Sequence, residues 1–498
     1  MPTPLTFPGV AIEETPAGLR AVAAQPTSVT ALAGRAWRGP VGRPQAVGSL
    51  NDFLRLFGPA PAGDALAAAV ADFFANGGSA ALVLRLYRPA APQADAAAPH
   101  PDGCSRWRVG GLPLRAADPG RWGDGLQLQL TVQPGDATRF NLSVQDPASG
   151  RDERYEGLSL QPGHPMEAGP QLHPSALLRL DDAAPDTPLH TGAGELLRPG
   201  HDGEPLTAAD LMGDEAAATG LHALSAGPPF HLLCLPPPDA NTDWRPELWA
   251  AAARLAGQQR ALLLIDPPAA WRSAREALAG AATLCPGSPD AALYFPRLSG
   301  PGGQDRVPCG AVAGMMARTD RQRGVWKAPA GLEAQLAGGA APTLPLDDGL
   351  SGLLNEQAIN TVRMLPGKGT VVWGARTRAG IDGLGSDFKY VPVRRLALHI
   401  EDSLVRGLAW VAFEPDAEPL WARLREQAGA FLHGLYAQGA FQGRRPQEAW
   451  FVHCDAATTS TTDQALGLVR LHLGFAPLRP AEFVLLRLVL QAQPMPPG

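Results

Sequence analysis

Lysine is nearly missing from this chain of 498 residues: Lys327, Lys368 and Lys389 are the only three. Arginine carries the rest of the positive charge, and the net charge is still −6. Nothing in that balance dictates the basic face a polyanion binder needs, so direct nucleic-acid binding is not expected. Apolar runs long enough to cross a membrane are also missing. The best, Phe483–Leu490, is broken by Arg487 and has the length of a strand, so membrane insertion is not expected. The opening Met-Pro-Thr-Pro has neither a basic n-region nor an apolar h-region, so a secretory signal is not expected. No CxxC pair occurs, and the five cysteines (104, 234, 285, 309, 454) are odd in number and far apart. They read as reduced, mostly buried thiols of a cytoplasmic protein, which leaves the Asn141-Leu142-Ser143 sequon without weight. GxSxG, HExxH and a complete GxGxxG are absent as well.

What is present is enough apolar residue, 45%, for more than one core, in a length that suggests about three domains. Glycine and proline, 56 and 51 residues, stay below the level of disordered low-complexity chains and point to folded domains with long connections. Residues 1–25 are an extended, Pro-punctuated arm in which Val10 and Ile12 share one face. Residues 26–88 read as strand, helix, helix, strand. Ser49 and Asp64 are the helix N-caps, and Asn76-Gly77-Gly78 is a stop. A Pro/Ala linker covers 89–103. Residues 104–206 form a small antiparallel β module, with strict alternation in Leu126–Val132 and Phe140–Val144 and a loose loop over 182–206. Residues 207–345 alternate strands (Phe230–Leu235, Leu262–Ile265, Ala291–Phe295) with helical stretches, as a parallel sheet requires. Residues 347–478 read as helix 355–364, strand 370–373, helices 393–408 and 420–436, and strands at 450–453 and 466–473. Residues 479–498 close the chain with a strand from Phe483. The fold class is thus α/β in the mixed α+β sense, multidomain, with both chain ends needing other sheets to join.

Candidate chemistry is sparse. Asp266 ends a strand where α/β enzymes place catalytic groups, but Asp-Pro-Pro also simply ends a strand. His453 and Cys454 are adjacent on a strand and so point to opposite faces, which rules out a nucleophile–base hydrogen bond between them. His164, His173, His190 and His201 share a region with Asp181, Asp182, Asp186 and Asp202, without the tight spacing a metal site needs. Pro366-Gly-Lys-Gly-Thr370 lacks the full phosphate-loop pattern and reads as a turn. No catalytic residue, metal ligand or cofactor site is assigned.

An ordered series of segments does carry a signal. Phe7-Pro-Gly-Val-Ala-Ile-Glu-Glu14 is followed by Pro26-Thr-Ser-Val29, Gly34-Arg-Ala36, Arg38-Gly-Pro-Val41, Phe53…Phe57-Gly58 and Phe73-Phe-Ala-Asn-Gly-Gly78. Gly123-Asp-Gly-Leu126 precedes the β module. Then come Gly310-Ala-Val-Ala-Gly314, Ala317-Arg-Thr-Asp320, Gly324-Val-Trp-Lys-Ala-Pro-Ala-Gly331, Asn355…Gly367, Val372-Trp-Gly-Ala-Arg376 and Tyr390-Val-Pro-Val-Arg-Arg395. Gly474-Phe-Ala-Pro477 and Arg479-Pro-Ala-Glu-Phe-Val484 end the series. In this order the chain resembles the tail sheath proteins of contractile phages and phage-like contractile injection systems, over nearly its whole length except roughly 160–205.

The resemblance implies a core domain built from both chain ends with middle domains inserted. It implies a subunit that polymerises helically around an inner tail tube, alongside baseplate and cap or terminator proteins, and contracts without nucleotide. It is made in the cytoplasm and ends as part of a virion tail or tail-like particle. It also implies N- and C-terminal arms that add strands to neighbouring copies, with Phe7, Val10 and Ile12 in one and Phe483, Val484, Leu485, Leu486 and Leu488 in the other. The C-terminal segment agrees on its own terms: a strand apolar on both faces is expected to be buried on both. One of the helices 393–408 and 420–436 would face the tube, and the sequence leaves both open. The alternatives are a non-contractile cap or terminator paralogue and an α/β hydrolase built around Asp266.

Overall fold

The computed structural model describes residues 21–59, 63–91, 99–183, 185–186, 188–238, 242–300, 303–478 and 484–492. The chain divides into two compact units, Pro26–Arg395 and the residues on either side of that span.

Along the chain, β1 (Thr30–Gly34), β2 (Gln45–Val47) and β3 (Ala81–Arg85) come first. Seven strands follow: β4 (Arg106–Val109), β5 (Leu112–Ala116), β6 (Gln127–Gln133), β7 (Asp136–Asp146), β8 (Arg151–Ser159), β9 (Leu178–Leu180) and β10 (Gly192–Arg198). Next are β11 (Leu232–Cys234), β12 (Leu262–Ile265), β13 (Ala291–Phe295), the two-residue β14 (Leu298–Ser299), β15 (Asp305–Arg306) and β16 (Ala341–Pro342), and then β17 (Ile359–Leu365) and β18 (Gly369–Val372). The second unit holds β19 (Trp450–His453), β20 (Leu468–Phe475) and β21 (Val484–Gln491).

In the first unit one eight-stranded sheet runs β18-β17-β13-β12-β11-β1-β3-β2. Its six inner strands are parallel, and β2 and β18 join antiparallel at the edges. Inner parallel strands must be apolar on both faces, and these are. Leu263 and Ile265 enter one core layer while Leu262 and Leu264 enter the other. In β13, Leu293 and Phe295 go one way and Ala292 and Tyr294 the other. The sheet draws strands from 26–88, 207–345 and 347–372 alike. Stretches that the sequence separates into a core domain and an inserted α/β domain therefore share one sheet, because parallel strands are joined by long crossovers and need not be neighbours in sequence. One further expectation changes here. Residues 355–364 are not a helix: the helix Asp348–Glu356 stops at Ala358, which has φ 55°, and the β-branched run Ile359, Thr361, Val362 continues as β17.

A helix that periodicity does not reveal, Cys309–Arg323, packs along the helix Ala65–Ala75. A Cβ on Gly310 would collide with the Ala69 carbonyl, and one on Gly314 with the Phe73 carbonyl, so two glycines four apart set the approach of the two helices.

The seven strands β4–β10 form a separate sheet in the order β8-β7-β6-β10-β4-β5-β9. The alternation of β6 puts Leu128 and Leu130 into a core with Phe140, Leu142, Val144 and Trp107. The stretch 182–206 is not all loop, because Gly192–Arg198 pairs with both β4 and β6. Its Gly-Ala-Gly start hides the alternation, and Gly194 lies where a Cβ would press on Leu128.

The second unit is built on the C-terminal half of the helix Val391–Gly407, the helix Glu418–Ala437 and the sheet β19-β20-β21. All five cysteines are buried thiols without disulfides.

Candidate functional site

The chain's candidate working parts are its ends. The described N-terminal residues touch the helix Val391–Gly407: the Gln25 N–H donates to Ser403 Oγ at 3.1 Å, and Val22 fills the space beside Gly407. Phe7, Val10 and Ile12 lie outside the described residues, as does Phe483.

The C-terminal strand is where the structure departs most from expectation. β21 lies antiparallel on β20 of its own chain, in register from Leu468↔Gln491 to Phe475↔Val484. Val484, Leu485, Leu486 and Leu488 are all in this strand. The sequence suggested no partner close by, yet the partner is the strand just before it. An antiparallel return needs only a short connection, and residues 476–483 supply it. Leu486 and Leu490 are buried on the face shared with Val469, Leu471 and Leu473. Val489 on the other face is 53% accessible, so the single chain buries one face of this strand, not both. Among the described residues β21 has no second strand partner, which leaves it as a sheet edge.

The support beneath the sheet is aromatic. The helix Glu418–Ala437 packs on β19, with His433 and Trp450 rings 6.4 Å apart, and Phe441 lies 5.5 Å from Phe475. A 3-10 turn, Ala409–Phe413, packs against β21. Its Trp410 donates to Gln427 Oε1 at 3.1 Å and lies under the Arg423 guanidinium, while Phe413 is 80% exposed. The sequence reading missed this turn. The only signal is the apolar run Leu408–Phe413 continuing past the end of a helix.

Asp266 ends β12 fully buried. Its Oδ1 accepts the Cys309 N–H at 2.9 Å, so it caps the helix Cys309–Arg323, and burial pushes its carboxyl up to about 7. The space beside it, lined by Asp243, Trp249 and Arg297, measures about 10 Å³. That is room for one water and not for a substrate, so the geometry gives Asp266 a capping role. Cys454 is buried with its thiol pushed up to about 12 by desolvation, whereas His453 is exposed, and the two do not act together.

The histidine- and aspartate-rich stretch is taken up piecemeal. Asp181 pairs with Arg106, Asp186 pairs with Arg108, Asp202 accepts the Arg121 N–H, and His164 accepts the Met166 N–H. Among the described residues no group of three or more His, Cys, Asp or Glu could hold a metal. Pro366–Thr370 is the β17–β18 turn, with Gly367 at φ 70° and Gly369 at φ 79°. No helix among the described residues is long and apolar enough to cross a membrane.

No protein-family description and no curated protein matches the chain. Solved structures do. The sheath tail protein of Listeria innocua aligns with a TM-score of 0.67 at 12% identity, over 95% of this chain and 96% of its own. The sheath tail protein of Desulfitobacterium hafniense aligns with a TM-score of 0.62 at 14% identity, over 97% and 100%. The PVC sheath complex of an extracellular contractile injection system, in its contracted state, aligns with a TM-score of 0.59 at 21% identity, over 97% of each chain. Over 95–97% of its length the chain has the fold of these sheath proteins.

Proposed function

We propose that this chain is the structural subunit of a contractile sheath, polymerising helically around an inner tube. The observation that carries the reading is the extent of the shared fold. The alignment with separately determined sheath proteins spans 95–97% of the chain and nearly all of theirs. The ordered motifs Gly310–Gly314, Ala317–Asp320, Tyr390–Arg395 and Gly474–Pro477 point the same way.

In this reading β21 is a strand that can be exchanged. The pairing it makes with β20 in one chain is the pairing it makes with a neighbour's β20 in the polymer, which is domain swapping. Each main-chain bond contributes about 0.5–1.5 kcal/mol net. A ladder of such bonds per subunit keeps the polymer connected while subunits rotate as near-rigid bodies. The free energy for contraction comes from the difference in packing between the extended and contracted lattices, so no nucleotide is needed. Phe7, Val10 and Ile12 in the N-terminal arm and Phe483, Val484, Leu485, Leu486 and Leu488 in the C-terminal arm are the proposed contact residues. An inner tube protein and a baseplate are the proposed partners, and a phage tail or tail-like particle is the place of action.

The test is electron microscopy of the purified chain, alone and co-expressed with its inner tube protein, beside a variant lacking residues 479–498. Hollow helical tubes from the full chain and none from the truncated one are expected. Globular particles from the full chain even with the tube present would remove the reading.

A further inference from the structure

The three strands of the C-terminal sheet bring an unusual row into register. His453 of β19 lies opposite His472 of β20, and His472 lies opposite Arg487 of β21. Adjacent strands are about 4.8 Å apart, so the row crosses about 10 Å. It lies on the face away from the buried Val469, Leu471 and Leu473. His453 and Arg487 are exposed and His472 is half-buried.

The surroundings do little to balance it. Arg470, on the same face of β20, is held by Asp463 of the helix Thr461–Ala465 through two bonds of 2.7 and 3.0 Å, so that carboxylate is already engaged. Asp455, in the turn after β19, favours a charged His472. Among the described residues Arg487 has no carboxylate in contact. Burial first, then Arg487, Arg470 and His453, holds the His472 imidazole below the ordinary histidine range.

We propose that this row is a proton-sensitive latch on β21: when His472 takes up a proton, repulsion from Arg487 directly opposite loosens β21 from β20 and frees the C-terminal strand for exchange with a second copy. Like charges directly opposite on neighbouring strands are destabilising, and a histidine is the side chain that gains its charge between pH 5 and 8. The device sits where little has to break, because β21 is an edge strand held through one ladder. The sign follows from linkage. The paired state binds protons at His472 less readily than the released strand does, so pairing is fullest above pH 6.5 and weakens as pH falls below it. The part of the proposal that concerns exchange rests on the sheath reading, but the loosening itself is a property of one chain.

The test is hydrogen–deuterium exchange of the full chain in dilute solution at pH 7.5 and 5.5, corrected for intrinsic rates. Peptides over 484–492 are compared with peptides over β6 in the other unit. Acidification should lower protection of 484–492 by about two- to tenfold relative to β6. The double variant His453→Gln/His472→Gln should lose that drop. Arg487→Glu should reverse it, since an acid at 487 attracts the protonated His472. Equal pH dependence of the two peptides in the wild-type chain, or an undiminished drop in the double variant, would overturn the latch. Because no assembly is involved, that result leaves the sheath reading standing. Failure to form tubes would in turn leave the measured loosening intact.

Discussion

Asp320 and Arg395, 75 positions apart, close a two-pronged ion pair inside the first unit, with bonds of 2.9 and 2.6 Å and side chains only 4% and 3% accessible. Thr27 joins from both sides: its hydroxyl donates to Asp320 at 2.7 Å and its carbonyl accepts from Arg395 at 2.9 Å. The chain leaves this unit at just two places, before Pro26 and after Arg395, so one carboxylate anchors the residues flanking both exits.

Removing one partner strands a buried charge, which costs about 3–5 kcal/mol. Asp320→Ala is therefore expected to lower the unfolding free energy of the first unit, taken from urea titration, by that amount. Asp320→Leu with Arg395→Met should recover most of it, since an apolar pair of similar size is often neutral. A double-mutant cycle followed by fluorescence measures the coupling.

Two pairs of helix glycines have opposite surroundings. Gly310 and Gly314 face a backbone with no space for a methyl group, whereas Gly352 and Gly434 have nothing within 4 Å of a built Cβ. Gly314→Ala is expected to destabilise by about 1–3 kcal/mol through overpacking. Gly352→Ala and Gly434→Ala should stabilise by about 0.5–1 kcal/mol, because alanine loses less entropy in a helix. Thermal unfolding of the three variants distinguishes packing from propensity.

What was legible in the sequence follows the same division between local and distant causes. Leu262–Ile265 and Ala291–Phe295 read as buried strands because each residue's own chemistry requires it. Ser49 and Asp64 read as caps because the bond they accept is three residues away, as found at Asp52 and Ala67. The helix Cys309–Arg323 was not legible. Its face is glycine and alanine, and what supports it is the backbone of another helix and a carboxylate from β12. Ile359 and Val362 share helical spacing, so β17 passed for a helix although its β-branching pointed the other way. For the candidate site, the strand character of 484–491 was visible. Its partner was not, because register with β20 is fixed only once the chain turns back. The His453–His472–Arg487 row depends on that register and so could not be seen either.

Asp266 gives a prediction with a defined sign. Its carboxyl is raised from 3.8 to about 7 by burial. The folded chain holds this proton where the unfolded chain has lost it, so the contribution to stability is full below about pH 4 and is lost as pH rises through 7. Asn at this position keeps an oxygen for the Cys309 N–H and carries no charge. Asp266→Asn is expected to raise stability at pH 8, by up to about 4 kcal/mol, by less than half of that at pH 5, and to change little below about pH 4. Melting temperatures of both proteins between pH 5 and 8 check it: the wild-type curve should fall with pH more steeply than the variant's.

The two faces of β21 make the strand-exchange reading testable one side chain at a time. Leu486 is 5% accessible in the single chain and Val489 is 53%. Leu486→Asp puts a carboxylate into an apolar layer, and the single chain is expected to lose about 2–4 kcal/mol or release the strand. Val489→Asp puts it in solvent opposite Arg470, so the unfolding midpoint should stay within about 0.5 kcal/mol of wild type. The sequence demands burial on both faces, and the single chain supplies one. If the polymer supplies the other, Val489→Asp must block tube formation while leaving the monomer intact. Normal tubes from Val489→Asp would mean that the outer face stays wet in the assembly, and the contact residues of the C-terminal arm would then be confined to Leu486, Leu488 and Leu490.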